Sequence, residues 1–122
     1  MSEIKFRGKS VDNGEWVVGD LTRYSNVKSI IVVDFIEGDV QWVFSETVGQ
    51  YTGLKDKNGI GIYEGDVVWC RAGEHSSGVW EYEKRFVVEY GWTQSMWEMF
   101  MCDEIEVIGN IYDNPELLEG QE

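Results

Sequence analysis

Between Val48 and Cys70 the chain reads VGQYTGLKDKNGIGIYEGDVVWC and has to reverse direction twice within little more than twenty residues. Asp56-Lys57-Asn58-Gly59 is the first turn. Asn and Gly tolerate the positive φ that tight hairpins require, and Gly61 follows where a bulge or a close backbone approach would suit it. Tyr63-Glu64-Gly65-Asp66 is the second turn, after which Val67, Val68, Trp69 and Cys70 begin a strand of β-branched and aromatic residues. The corner sits between two halves of the chain that read as separate β-sheets.

Upstream, Ile4–Gly8 and Glu15–Tyr24 read as strands joined through Asp12-Asn13-Gly14, with Trp16 and Val18 on one face and Val17 and Leu21 on the other. Ser29–Ile36 (SIIVVDFI) is a short apolar run rich in Ile and Val, expected to be a strand buried on both faces. Glu37-Gly38-Asp39 turns it into Val40, Trp42 and Phe44, which completes a four-stranded meander. Downstream, Val79–Trp92 alternates Trp80, Tyr82, Phe86, Val88 and Tyr90 against Glu81, Glu83, Arg85 and Glu89, a long or bent strand. Met96–Cys102 (MWEMFMC) is apolar on both faces apart from Glu98 and is read as a further strand. Ile105–Tyr112 is the last strand, and Asn114-Pro115 starts a single helical turn. The expected fold class is all-β. An N-terminal β-meander (residues 1–47) joins through the corner to a small C-terminal barrel of the Src-homology type (residues 48–122), as two subdomains or as one compact unit.

Three segments resemble the YopX family of small phage and prophage proteins: IKFRGKSVDNGEWVVGDL at the start, GQYTGLKDKNGIGIYEGDVV in the middle and EVIGNIYDNPELL at the end. They touch both ends and the centre of the chain in order. The resemblance implies a mainly β structure and a product of the bacterial host cytoplasm. It carries no catalytic or binding residues across.

The chemistry in the sequence is sparse. His75, the single histidine, lies in the polar loop AGEHSSG beside Ser76 and Ser77, where nothing orients an imidazole for nucleophilic work. One His and two separated Cys are too few for zinc, and no phosphate loop, dinucleotide fingerprint or nucleophile elbow is present. No cofactor or metal is expected, and no catalytic residue. Cys70 and Cys102 are expected to be unlinked buried thiols.

Net charge is −13. Residues 1–54 hold eight acids against five bases (−3) and residues 55–122 fifteen against five (−10). Such a field disfavours direct nucleic-acid binding. No apolar run reaches the ~20 residues of a membrane helix, so no membrane association is expected.

The expectation is therefore a non-enzymatic accessory protein acting by binding another protein. Glu81, Glu83, Glu89, Glu104 and Glu106 are its candidate partner-binding panel, with a basic host protein as a candidate partner. One alternative is an acidic mimic of nucleic acid that inhibits a host DNA-binding protein. Another is a small-molecule, nucleotide-like binding or sequestering protein, with Tyr51, Tyr63 and Trp69 at the corner as its pocket. Two-sided apolar strands also point to a homo-oligomer, with Trp97, Met99 and Met101 as candidate self-association residues.

Overall fold

The computed structural model describes residues 5–23, 25–34, 37–73 and 82–118. His75, Trp80 and Glu81 lie outside the described residues. The chain divides between Gly53 and Leu54 into two compact units.

The first unit is built on a meander. Strands β1 (Phe6–Lys9), β2 (Trp16–Arg23), β3 (Lys28–Asp34) and β4 (Asp39–Phe44) pair antiparallel in sequence order. β5 (Gly49–Lys55) then pairs with the free side of β1. Register shifts between Leu21 and Arg23 and between Val32 and Asp34 bend the sheet. The bend is enough for the chain beyond β1 to reach β4. Ser10 bridges to Val43, and the Val11 N–H donates to the Trp42 carbonyl at 2.9 Å. Gly8 is needed at this crossing, because a Cβ there would lie 2.9 Å from Val43 Cβ. Ile31 and Val43 are fully buried inside the bend. The buried hydroxyls beside them are satisfied. Ser29 and Ser45 share a 2.8 Å hydrogen bond, and Thr47 donates to the Phe44 carbonyl while accepting from the Lys9 N–H.

β3 differs from expectation in its burial. Ser29 and Ile31 are enclosed, but Val33 at the register shift is exposed, as are Val40 and Trp42 on the neighbouring strand. A sheet this strongly bent encloses only the part of each strand near its crossing.

In the second unit, β6 (Gly61–Tyr63) follows the first turn and β7 (Asp66–Ala72) the second. The six-stranded sheet runs β4-β3-β2-β1-β5-β6. A separate three-stranded sheet has β7 at its centre, flanked antiparallel by β8 (Tyr82–Val87) and β9 (Glu104–Asn110). The helix α1 (Gln94–Met101) connects β8 to β9, and Pro115–Leu118 forms a 3-10 turn. The all-β class holds. The expected barrel does not: among the described residues no closed barrel forms, and a helix stands where a further strand was expected.

The reason is local. The Thr93 hydroxyl accepts from the Met96 N–H and caps the helix, while Gln94, Met96, Glu98, Met99 and Met101 are all good helix formers. Met96 and Met99 face the core; Trp97, Phe100 and Met101 face out. Both sides of MWEMFMC are apolar because one face is buried and the other is bare. The long expected strand is also shortened, since β8 ends at Val87 and Val88 turns in to pair with Asp66.

The core beneath α1 comprises Ile62, Val68, Cys70, Val88, Met96 and Met99, with Phe86, Cys102, Ile105 and Val107 packed against it. Two buried carboxylates hold the corner. Asp56 Oδ1 accepts from the N–H groups of Asn58 and Ile60, and Oδ2 accepts from the N–H of Val107 on β9, each at 2.9 Å. The Lys57 N–H donates to the Ile105 carbonyl, so the whole turn is bound to β9. Asp66 Oδ2 accepts from the Tyr63 N–H at 2.8 Å and closes the second turn, where Gly65 has φ +94°. At the far end Gly109 leaves room for Asn114 and Leu117, which would lie 2.7 and 2.6 Å from a Cβ there. Asn114 does not cap its own turn through its side chain; its Oδ1 accepts from the Asn110 N–H.

Burial of Asp56 favours its neutral form, but the N–H groups of Val107, Ile60 and Asn58, with Lys57 alongside, outweigh that and hold its pKa below the ordinary carboxylate value. A depressed folded pKa adds stability that is complete above the unfolded pKa and disappears as pH falls through the folded one. Asp56→Asn replaces one acceptor with a donor facing the Val107 N–H. It should lower stability at neutral pH by about 2–4 kcal/mol in urea unfolding and flatten the acid limb of the stability–pH curve. An unchanged unfolding midpoint would show that the turn is held otherwise.

Candidate functional site

The three-stranded sheet has two unlike faces. On the face away from α1, cross-strand register places Arg71 between Glu83 and Glu104, and Trp69 between Arg85 and Glu106. The carboxylates do not stand alone. Arg71 reaches Glu83 at 3.6 Å and Glu104 at 3.8 Å, and Lys57 reaches Glu104 at 3.1 Å and Glu106 at 3.5 Å. Acid and base alternate across the strands, as cross-strand charge pairing favours. Lys57 is raised in pKa, chiefly by its hydrogen bond to Glu104. Of the expected acidic panel, Glu83, Glu104 and Glu106 are therefore brought together, but as a mixed-charge ladder. Glu89 stands apart at the α1 end, where its backbone bonds Thr93 and Ser95. Glu81 lies outside the described residues.

Tyr51 and Tyr63 are both buried, so they serve as packing groups. Trp69 lies on the ladder face with the Arg71 guanidinium 4.6 Å from its ring centre. A shallow cleft of about 380 Å³ adjoins it, lined by Trp69, Glu83, Lys84, Arg85 and Ile108. The cation at that ring, Arg71, is already engaged with Glu83 and Glu104.

The other side carries α1, and here lies the least expected surface. Trp97, Phe100 and Met101 are 62 %, 65 % and 62 % exposed, and Trp92, just ahead of the helix cap, is fully exposed. Met99 is 2 % exposed and belongs to the core, so of the three candidate self-association residues only Trp97 and Met101 reach the surface. Beside them is a cleft of about 270 Å³ lined by Ala72, Tyr82, Gln94, Trp97, Glu98, Met101 and Cys102.

Glu98 forms the floor of its polar side. It accepts from the Tyr82 hydroxyl at 3.0 Å, Lys84 Nζ at 3.1 Å and Gln94 Nε2 at 3.1 Å. Burial pushes its pKa up, but these three donors outweigh that, and the net direction is down. The sequence reading named Trp97 and Met101 but took the segment for a strand, and it missed Phe100 and the network around Glu98. The i, i+3, i+4 spacing of Trp97, Phe100 and Met101 behind a Thr cap was the available signal.

Among the described residues no three His, Cys, Asp or Glu converge as metal ligands, and no helix is long and apolar enough to cross a membrane. Cys70 and Cys102 are free thiols; Cys70 is fully buried, and burial raises its pKa far above the ordinary value.

Burial, and then the hydrogen bond to Glu98 with that group's negative charge, push the Tyr82 phenol up to about 12. Glu98→Gln removes the charge, so Tyr82 should ionise nearer the ordinary value of about 10. Ultraviolet difference titration of variant against parent reads this directly, and superimposable curves would break the pair.

A comparison with curated proteins finds no match. Among solved structures the chain is similar to one titled "Crystal structure of protein EF1440 from Enterococcus faecalis". That likeness has 24 % sequence identity and a TM-score of 0.48, over 98 % of this chain and 100 % of the other. The family model described as "YopX protein" matches residues 5–119. With nearly its whole length matched in this way, the chain belongs to the YopX family.

Proposed function

We propose that this protein is a non-enzymatic binding module, a phage or prophage accessory factor of the bacterial cytoplasm, and that it contacts a protein partner through the outer face of α1. The observation that carries this reading is the exposure of Trp97, Phe100 and Met101 on one short helix whose other side fills the core. Large apolar side chains clustered in the open mark contact surfaces, and aromatic residues with Met are the types enriched there.

The ladder of Glu83, Arg71, Glu104, Lys57 and Glu106 supports this over mimicry of nucleic acid, because its interleaved cations break up any row of bare negative charge. The burial of Tyr51 and Tyr63 weighs in the same way against a nucleotide pocket at the corner.

A photoreactive phenylalanine analogue placed at position 97 or 100 should form a protein adduct in the producing cell. The same group at Glu116, exposed on the Pro115–Leu118 turn, should form none. Equal labelling at all three positions would remove α1 as the contact face.

A further inference from the structure

We propose, resting on that reading, that the partner of the α1 face is a second copy of this chain, joined in a two-fold dimer. Three observations lead there. The first is shape. Successive residues of a helix are turned about 100° apart, which puts Phe100 to one side of Trp97 and Met101, Gln94 and Glu98 to the other. The cleft of about 270 Å³ lies on that second side, lined by Trp97, Met101, Gln94 and Glu98, and Phe100 is not among its walls. The face thus carries a protruding ring and a hole side by side. A two-fold axis parallel to the helix exchanges the two sides, so each Phe100 meets the cleft of the other copy. Such self-complementarity is what an isologous interface requires.

The second is area. Trp97, Phe100 and Met101, with Trp92 just ahead of the helix cap, are exposed, and at these fractions they present on the order of 650 Å² of mostly apolar surface. A standard interface takes ~800 Å² from each partner.

The third is charge. The chain as a whole is at −13, but the acid that reaches the cleft is already answered from within: Glu98 is bound by Lys84, Tyr82 and Gln94. Trp97, Phe100 and Met101 carry no charge of their own, and among the described residues that line the cleft Glu98 is the one carboxylate, so the cleft itself does not call for a basic partner. Repulsion between the two copies comes from more distant groups, and salt screens these beyond ~8 Å.

Sedimentation equilibrium of the intact chain tests this, over micromolar concentrations and at low and high salt. The expected result is a mass twice 14.1 kDa, with a dissociation constant that falls several-fold from ~50 mM to ~500 mM salt as repulsion is screened. Trp97→Glu and Phe100→Glu should each return the mass to 14.1 kDa with the circular-dichroism spectrum retained. Val27→Glu, an equally exposed apolar position in the first unit, should leave the dimer intact.

A monomer at every concentration and salt overturns the proposal, as does a dimer that survives both α1 substitutions. A dimer that weakens as salt rises overturns it too, because the contact would then be ionic. If both α1 variants unfold, these side chains are core and the proposal falls. A monomer that still forms adducts to another protein from position 97 sinks the dimer alone and leaves the binding module standing. The absence of adducts removes both.

Discussion

The second unit depends on one carboxylate. Asp56 is inside the protein, yet three backbone N–H groups converge on its two oxygens, one of them on a strand fifty-one residues further along the chain. A turn of five residues cannot satisfy its own N–H groups when it packs against a sheet, and each one left unanswered costs about 1–3 kcal/mol. Asp56 answers two within the turn and one on β9. This fixes where the hairpin sits on β9 and, through the pairing of β9 with β7, where the helix-covered core can form. Asp66 repeats the device one turn later, answering the Tyr63 N–H through its side chain while its carbonyl takes the Val88 N–H. A chain this acidic uses its carboxylates inside as structural acceptors as well as outside.

The outer carboxylates show how the same excess is tolerated on a sheet. Glu104 and Glu106 point to one side of β9, and Glu83 stands across β7 from them. Like charges on one face of a sheet repel, and the register relieves this by placing Arg71 between Glu83 and Glu104 and laying Lys57 across Glu104 and Glu106. Exposed pairs of this kind are screened by solvent and stabilise the fold little. Their role is to remove a penalty that three neighbouring carboxylates would otherwise impose.

Much of this was legible in the sequence where the signal is local. The two turns of the corner are where Asp-Lys-Asn-Gly and Tyr-Glu-Gly-Asp place them, and both hairpins of the meander join through their Gly-containing turns. The strand that became α1 was not legible by alternation. A run that is apolar at every position but Glu98 has no period-two signal, and only the Thr93 cap, the i, i+3, i+4 spacing of Trp97, Phe100 and Met101 and the propensities of Gln, Met and Glu mark it as a helix. The partial exposure of β3 was hidden for another reason, since the bend of its sheet depends on bulges and on the meeting of Gly8 with Val43. That Asp56 is an internal acceptor, and not a solvated turn residue, needed the position of β9. For the site, Glu83, Glu104 and Glu106 were found as neighbours, but the cations between them come from residues that look unremarkable in sequence.

The three motif segments behind the family resemblance contain Gly8, Asp56, Asp66 and Gly109, and each of these acts at a joint: a backbone crossing, two turn closures and the seat of Asn114 and Leu117. α1 lies outside all three segments. Its inward residues, Met96 and Met99, complete the core, while Trp97, Phe100 and Met101 contribute little to it. Outward positions on such a helix are free of the packing that constrains the inward ones, so their chemistry can change without disturbing the scaffold. A binding surface built there separates the requirements of the fold from those of recognition. That a marginally stable chain leaves three large apolar side chains in water, when polar residues would serve the helix equally well, is the physical reason for proposing recognition at this face.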